Sequence, residues 1–231
     1  SQSRACGYKL CSYASASFYQ QGNTMRRRYV LLMLTCTFVA LYILIFSVAV
    51  VAANPAEGKS KALICSGCHA GDGNSDNSEY PILAGQGQGY LTKQFLDFKS
   101  GLRKDDHMTS IVEAVRVEDI KPIAAYFSMQ QRRRGSAPPK TSSSGKLIFH
   151  NGNSARSVGA CAACHGKEGQ GNSALNYPAL AGQHADYIAK TLKEFRSGVR
   201  RNDQQAMMRT IAAGLSDQDI DALAAYIAAM P

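Results

Sequence analysis

Two five-residue motifs contain the residues with the most specific chemistry: CSGCH at residues 65–69 and CAACH at residues 161–165. Cys-x-x-Cys-His is the attachment signature of c-type haem. Two thiols three positions apart on a turn can each add to a haem vinyl group and form a thioether bond. The next residue, histidine, then lies beneath the ring, where an imidazole nitrogen can bind iron. The sequence therefore predicts two covalent haem c groups, with Cys65, Cys68, Cys161 and Cys164 as attachment residues and His69 and His165 as iron ligands.

Three other interpretations of these cysteines compete with haem attachment. A four-cysteine zinc site places its pairs about 15–20 residues apart, whereas 92 residues separate Cys68 from Cys161. A thioredoxin-type dithiol needs a βαβ context, and no strand-like alternation surrounds either pair. Exported proteins form structural disulfides, but a bond across two intervening residues is cramped. A histidine after both pairs favours haem.

The second axial ligand is predicted from paired methionines. Met108 and Met208 occupy equivalent positions downstream of the two motifs, and a thioether opposite histidine raises a haem's reduction potential. A methionine in an apolar protein is more often core packing, but recurrence after both motifs favours ligation. Met207 aligns with His107, so Met208 is preferred, while His107 itself is an alternative ligand for the first haem.

Two prolines lie on the histidine side of the predicted sites. Pro81 follows His69 by 12 residues and Pro178 follows His165 by 13. A ligating histidine donates its other ring N–H to an acceptor, and the carbonyl of such a proline is a candidate. A simple turn at each proline is an equally good interpretation of the sequence.

The chain is internally duplicated, which makes a chance occurrence of the motifs improbable. Segment 80–86 (YPILAGQ) matches 177–183 (YPALAGQ), and segment 90–101 matches 187–198. The offset grows from 96 to 100 along the chain, which places insertions in loops of the second half. Each half has about 90 residues and is small for an independent core, so a buried haem would supply missing apolar interior.

The coarse pattern is helical. Residues 90–100 and 187–197 carry apolar residues at helical spacing and are each followed by glycine, a natural residue after a helix end. Ser216 and Asp219 resemble a capping box before a terminal helix, and Asn54-Pro55 resembles a helix start. Pro122 is expected to delay or kink the equivalent helix of the first half. Residues 132–144 are rich in Arg, Ser and Pro and are predicted to be a solvated linker.

The N-terminal region has the features of a targeting segment. Met25 precedes three arginines, and the uncharged run 29–53 ends at small residues that suit cleavage before Asn54. The run is long enough to span a hydrocarbon core about 30 Å thick, so residues 25–53 are interpreted as a signal peptide or a membrane anchor. Residues 1–24 are interpreted as a disordered leader, and the remainder is expected in the periplasm.

The net charge of +9 does not indicate nucleic-acid binding. Residues 1–53 hold five of the 26 basic residues and no acidic residue, which leaves +4 for residues 54–231. Two haems would add four propionates and bring that part close to neutrality. Only Arg132–Arg134 forms a basic run, which a solvated linker explains. Nucleic acid is therefore not expected as a partner.

The region from about residue 57 to 231 resembles the dihaem cytochrome c4 family. The resemblance rests on the two haem motifs, the YPxLAGQ segments, the Phe-x-Ser-Gly-x-Arg helix ends, the paired methionines and the closing Ala-Ala-Tyr helices. It implies an all-α fold of two tandem class I cytochrome c domains related by a pseudo-twofold axis, with haem edges approaching at their interface. It also implies His69/Met108 and His165/Met208 ligation, supported by the carbonyls of Pro81 and Pro178. The predicted boundaries are 54–131 for the first domain and 145–231 for the second.

The resemblance also implies a function. Members of the cytochrome c4 family carry electrons in periplasmic respiration, from a quinol-oxidising cytochrome complex (quinol–cytochrome c reductase) to a haem–copper terminal oxidase. Closed six-coordinate iron suits an electron carrier rather than an enzyme. One alternative is the dihaem subunit of a periplasmic dehydrogenase, such as a sulfide-oxidising flavocytochrome. Another is a dihaem peroxidase, which needs an open coordination position.

Overall fold

A computed structural model of the chain describes residues 31–38, 55–133 and 142–231. These residues are mainly helical, and their only β pairing is two isolated bridges in the second half. The predicted all-α class is confirmed. The helices are α1 (residues 31–38), α2 (Pro55–Lys61), α3 (Ser66–His69), α4 (Gln88–Lys99), α5 (Met108–Glu113), α6 (Val117–Ser128), α7 (Ser143–Asn151), α8 (Ala162–His165), α9 (Ala185–Ser197), α10 (Met207–Ala213) and α11 (Asp217–Ala228), with 3₁₀ turns at Ala62–Cys65, Ser154–Arg156, Ser173–Leu175 and Gln204–Ala206.

Residues 1–52 form one compact unit, of which the structure describes α1. The side chains of α1 are exposed, including Leu31 and Met33. Among the described residues, no helix combines the length and the apolar character that crossing a membrane requires. The predicted signal peptide or anchor at 25–53 stays a prediction, and the predicted leader at 1–24 lies outside the described residues.

Residues 53–231 form the second unit, and it contains two hydrophobic cores, one in each repeated half. The first core is built on α4 and α6 around Phe95, Ile123 and Phe127. The second is built on α7, α9 and α11 around Phe149, Ile220 and Leu223. Both lie within the predicted domain boundaries, which stay a prediction.

The first and last helices of each half cross at very close range, and glycine makes this possible. A Cβ on Gly58 of α2 would lie 2.0 Å from the carbonyl oxygen of Pro122 in α6. A Cβ on Gly145 of α7 would lie 2.0 Å from the carbonyl oxygen of Ala222 in α11. Because each clash is with backbone, no side-chain rotation relieves it. Each crossing fixes the position of the helix that precedes the haem motif of its half.

Two helix ends follow the sequence pattern closely. The helices α4 and α9 each begin two residues earlier than predicted and end at Lys99 and Ser197. Gly101 and Gly198 both adopt positive φ, as expected of a glycine after a helix. The predicted capping box of α11 is confirmed, since the Ser216 hydroxyl accepts from the Asp219 N–H and the Asp219 carboxylate accepts from the Ser216 N–H.

We expect Asp219→Asn to lower the free energy of unfolding by about 1 kcal/mol at neutral pH. Burial acts to raise the pKa of Asp219, but hydrogen bonds from Ser216 and Arg156 outweigh it and hold the pKa below 3.8. A depressed carboxyl pKa stabilises the fold above the ordinary pKa, and this contribution is lost as pH falls through the folded-state value. The difference between the two proteins should therefore shrink below about pH 3.8.

Urea denaturation at pH 7 and pH 3 measures this difference. Asp221→Asn is the matched control, because Asp221 lies on the same helix, is exposed, and is 3.7 Å from Lys193. A difference for Asp219→Asn that is independent of pH would contradict the account.

Of the two effects expected of Pro122, a delayed start of α6 is wrong, and a kink stays a prediction. The helix begins at Val117, and its counterpart α11 begins at Asp217, the same 100-residue offset that relates the two methionines. Pro122 lies inside the helix, where it removes one backbone N–H donor. Its side chain is buried, and its carbonyl oxygen faces Gly58 across the helix crossing.

The two halves face each other through reciprocal contacts, which define pseudo-twofold symmetry. The amide of Gln86 contacts the backbone of Ala179, and the equivalent amide of Gln183 contacts the backbone of Ile82. Likewise, Arg103 donates to the Tyr187 hydroxyl at 3.0 Å, and its counterpart Arg200 donates to the Tyr90 hydroxyl at 3.2 Å. In a twofold interface, each contact between two residues is repeated by the equivalent residues with the two halves exchanged. The predicted symmetry is confirmed.

The predicted linker at 132–144 stays a prediction, but its first side chain, Arg132, is not solvated as the basic run suggests. The Arg132 guanidinium is held by the carbonyls of Ala84 and Ala181, both at 2.9 Å, so it bridges the two halves. Burial lowers the pKa of Arg132 to about 10. Arg133 is exposed but donates to Asp76, and α7 already begins at Ser143. A run of like charges gave no indication that one of its members is a bridging residue.

Candidate haem sites

The first motif ends in a buried histidine. Ser66–His69 forms one helical turn, and the His69 side chain lies in the interior with 3% of its surface exposed. Its Nδ1 lies 2.9 Å from the carbonyl oxygen of Pro81. A carbonyl oxygen can only accept a hydrogen bond, so Nδ1 carries the proton when the ring is neutral. Burial lowers the pKa of His69, although the Pro81 hydrogen bond opposes the change.

The remaining ring nitrogen of His69 is the strongest sign of a ligand. Nε2 is buried and has no hydrogen-bond partner among the described residues. A buried polar atom without a partner is unfavourable, and a neutral imidazole with a fixed Nδ1–H offers its Nε2 lone pair to a metal. The tautomer, the burial and the unpartnered nitrogen all fit an iron ligand.

The second motif repeats this geometry. His165 ends the short helix α8, is buried, and has its Nδ1 2.8 Å from the carbonyl oxygen of Pro178. Burial lowers the pKa of His165, and the Pro178 hydrogen bond again opposes the change. An aromatic ring borders each histidine: Tyr80 at 6.2 Å and Tyr177 at 6.3 Å between centroids. The two sites therefore share one design.

None of the four motif cysteines is paired in a disulfide. Cys65 and Cys161 are largely buried, and burial raises the pKa of each to about 11. Cys68 is exposed. The disulfide interpretation is therefore wrong for these pairs. Within the described residues, no three His, Cys, Asp or Glu side chains come together as a zinc site requires. The thiols remain available for two thioether bonds at each motif.

Each predicted methionine lies at the start of a short helix that an aspartate holds in place. Met108 is the first residue of α5, and the Asp105 carboxylate accepts from the N–H of Met108 at 3.1 Å. Met208 lies in α10, where Asp203 accepts from the N–H of Arg209 at 3.0 Å. Both methionines are half-buried, and Met108 packs against the first core. The three-residue insertion of the second half falls before α10, where Gln205 and Ala206 have left-handed backbones.

His107, the alternative ligand of the first site, is an exposed side chain. Its ring lies edge-on to Tyr80, 6.3 Å between centroids. Met108 therefore stays the predicted ligand.

A polar network at the interface of the halves was missed by sequence reasoning. Gln94 Oε1 accepts from Arg103 and Arg200, at 2.9 and 3.0 Å, and both arginines are buried. Each guanidinium also lies 4.6 Å over a phenylalanine ring of its own half. Burial acts to raise the pKa of Tyr187, but these two guanidiniums lower it to about 8. Repetition of the Phe-x-Ser-Gly-x-Arg helix ends was the available signal.

Two copies of one helical domain, each with an attachment motif and a buried, singly hydrogen-bonded histidine, define a dihaem c-type cytochrome. The cytochrome c family matches residues 142–231. Cytochrome c4 of Azotobacter vinelandii is 42% identical over 76% of this chain and 89% of its own length. Reduced cytochrome c4 from Pseudomonas stutzeri superposes with a TM-score of 0.75 at 40% identity, covering 78% of this chain and 100% of that chain. A thiosulfate dehydrogenase electron acceptor of Stutzerimonas stutzeri is 34% identical over 76% of this chain and 81% of its own length.

The chain belongs to the cytochrome c4 family. It is an electron carrier rather than an enzyme, and its cofactors are two covalently bound haem c groups. The predicted family and cofactors are confirmed. The individual ligand residues stay predictions and are taken up next.

Proposed function

We propose that Cys65 and Cys68 hold the first haem, with His69 and Met108 as its axial ligands. Cys161 and Cys164 hold the second haem, with His165 and Met208 as its axial ligands. In each attachment the thiol hydrogen and sulfur add across a vinyl double bond, so one S–C bond forms and nothing is released. The buried, unpartnered Nε2 of His69 carries this assignment most directly.

When bound, haem iron takes up and releases one electron at a time. The carbonyls of Pro81 and Pro178 hold the two histidines in one tautomer and one orientation. A histidine fixed in this way would need little rearrangement when the iron changes its oxidation state. Met108 and Met208 would each supply a thioether to the iron, which would leave no position for a substrate. We expect the reduced protein not to bind carbon monoxide, which a visible spectrum measures.

We propose further that the protein works in the periplasm and carries electrons from a quinol-oxidising cytochrome complex to a haem–copper terminal oxidase. The 42% identity to a protein named cytochrome c4 supports this role. Stopped-flow spectroscopy tests it, with the purified complexes as donor and acceptor. Fast reduction by the first and fast oxidation by the second are expected. Failure of either reaction would contradict the proposed route.

The compartment is tested on the mature protein. An N-terminus at Asn54 would indicate a soluble periplasmic carrier after signal cleavage. Retention of residues 29–53 would indicate an inner-membrane anchor. Either result agrees with export, whereas recovery of the haem-loaded chain from the cytoplasm would contradict it.

A second candidate is electron acceptance from a periplasmic dehydrogenase. It is favoured by the 34% identity to a thiosulfate dehydrogenase electron acceptor. Two experiments separate it from the first candidate: reduction by a purified thiosulfate dehydrogenase with thiosulfate, and co-purification with a flavoprotein for the flavocytochrome alternative. Faster reduction by a dehydrogenase than by the quinol-oxidising complex would favour the second candidate.

A further inference from the structure

The two glutamines of the repeated YPxLAGQ segments make a crossed pair of clamps between the halves. The Gln183 side chain accepts from the Ile82 N–H at 2.9 Å and donates to the Ile82 carbonyl at 3.0 Å. The Gln86 side chain accepts from the Ala179 N–H at 2.8 Å and donates to the Ala179 carbonyl at 3.0 Å. Both glutamines are buried. Each amide therefore hydrogen-bonds to both backbone groups of one residue in the other half.

The clamped N–H groups belong to the peptide units that hold the axial histidines. The carbonyl of Pro81 and the N–H of Ile82 are the two ends of one peptide bond. The carbonyl end accepts from His69, and the N–H end donates to Gln183. In the second half, the Pro178–Ala179 peptide accepts from His165 and donates to Gln86. Each histidine is thus linked through a single peptide group to a glutamine of the opposite half.

We propose that Gln183 and Gln86 are positioning residues that set the donor strength of the axial histidine in the opposite half. Gln183 acts on His69, and Gln86 acts on His165. The proposal rests on the axial roles of these histidines given under the proposed function. It adds that each haem is tuned from the other half of the chain.

The physical reason is hydrogen-bond cooperativity. A peptide whose N–H donates to a good acceptor has a more negative carbonyl oxygen, and successive hydrogen bonds strengthen one another by roughly 10–30%. A stronger acceptor at Pro81 draws the His69 proton away from Nδ1 and makes Nε2 a better donor to iron. A better donor stabilises ferric iron, so the clamp lowers the reduction potential of that haem.

The experiment uses the full haem-loaded chain with Gln183→Met or Gln86→Met. Methionine has a similar length and cannot accept the peptide N–H. We expect Gln183→Met to raise the potential of the first haem and leave the second unchanged, and Gln86→Met to do the reverse. At a fixed solution potential, the ferrous-to-ferric ratio of the affected haem should rise about threefold. This corresponds to a reduction potential about 30 mV higher for a one-electron step. A spectral redox titration measures it.

Each redox step is assigned by following the histidine ring resonances through the titration. His69 is identified by its neighbour Tyr80 and His165 by its neighbour Tyr177. In the reduced protein, exchange of the Nδ1 proton with solvent should also accelerate only at the histidine of the opposite half. This is His69 in Gln183→Met and His165 in Gln86→Met. A general loosening of the interface would accelerate exchange at both histidines.

Tyr90→Phe is the control, since it removes one hydrogen bond between the halves, to Arg200, and leaves both peptides intact. It should shift neither potential. Three results would each overturn the proposal. They are a potential shift confined to the haem of the substituted half, equal potential shifts in both haems, and no potential shift in either variant. Failure of the axial assignment itself is visible separately, because in the wild-type protein the ring resonances of His69 and His165 would then not shift with the oxidation state of either haem.

Discussion

We expect Met208→Ala to lower the reduction potential of the second haem by on the order of 0.2 V, since axial ligands alone move haem potentials over about 0.8 V. A thioether is a weak donor that favours ferrous iron, and its loss leaves water or a stronger donor on that side. The first haem should keep its potential, because its proposed methionine lies in the other half. A spectral redox titration should show one step displaced and one unchanged.

Met207→Ala is the matched control. Met207 is the neighbouring residue on the same helix and is half-buried like Met208. If Met208 is the ligand, Met207→Ala leaves both steps in place. An unchanged titration for Met208→Ala, or a displaced step for Met207→Ala, would rule out the assignment.

The same test at Met108 decides between two ligands of the first haem. Met108→Ala should lower the first potential by a similar amount, whereas His107→Ala should leave it unchanged because His107 is exposed. A large effect of His107→Ala together with a silent Met108→Ala would indicate bis-histidine ligation instead.

The second large effect is expected at the glycines of the helix crossings. Gly145→Ala places a Cβ 2.0 Å from the Ala222 carbonyl oxygen, so α7 and α11 must separate. Overpacking of a core costs roughly 1–3 kcal/mol and occasionally more, and a clash with backbone belongs at the upper end, which is a large part of a domain's net stability. We expect a lower urea midpoint and a reduced yield of haem-loaded protein. Gly58→Ala should act in the same way on the first half.

Gly67→Ala controls for the general effect of replacing glycine by alanine. A Cβ at Gly67 would meet no atom within 4 Å, and the equivalent residue of the second motif is already Ala163. Its stability should stay within about 0.5 kcal/mol of the wild type. If Gly145→Ala were as stable as Gly67→Ala, the close crossing would not determine the stability of the second half.

Features that depend on neighbours in sequence were predictable. The haem motifs, the helix ends at Gly101 and Gly198, and the capping box at Ser216 each need only a few consecutive residues. The duplication shows each pattern twice. A single methionine would not be distinctive, but Met108 and Met208 recur at equivalent positions and are therefore good candidates for iron ligands.

Features that depend on the packing of one half against the other were not predictable. Gln86 and Ala179 are 93 residues apart, and Gln183 and Ile82 are 101 apart, so no local periodicity connects them. Arg132 begins a run of arginines, a pattern that is usually solvated. Its role depends on two carbonyls that converge only in the folded chain. The hydrogen bonds that the Pro81 and Pro178 carbonyls accept lie within one half, but they too depend on how the chain folds between a histidine and a proline 12 or 13 residues later.

The central claim is that this chain binds two haems through its two cysteine motifs, and a pyridine haemochrome assay on protein of known concentration tests it most directly. The account predicts two c-type haems per chain that resist acid-acetone extraction, and one after Cys161→Ala/Cys164→Ala. One haem or none in the wild-type protein, or two covalent haems in the double variant, would contradict it.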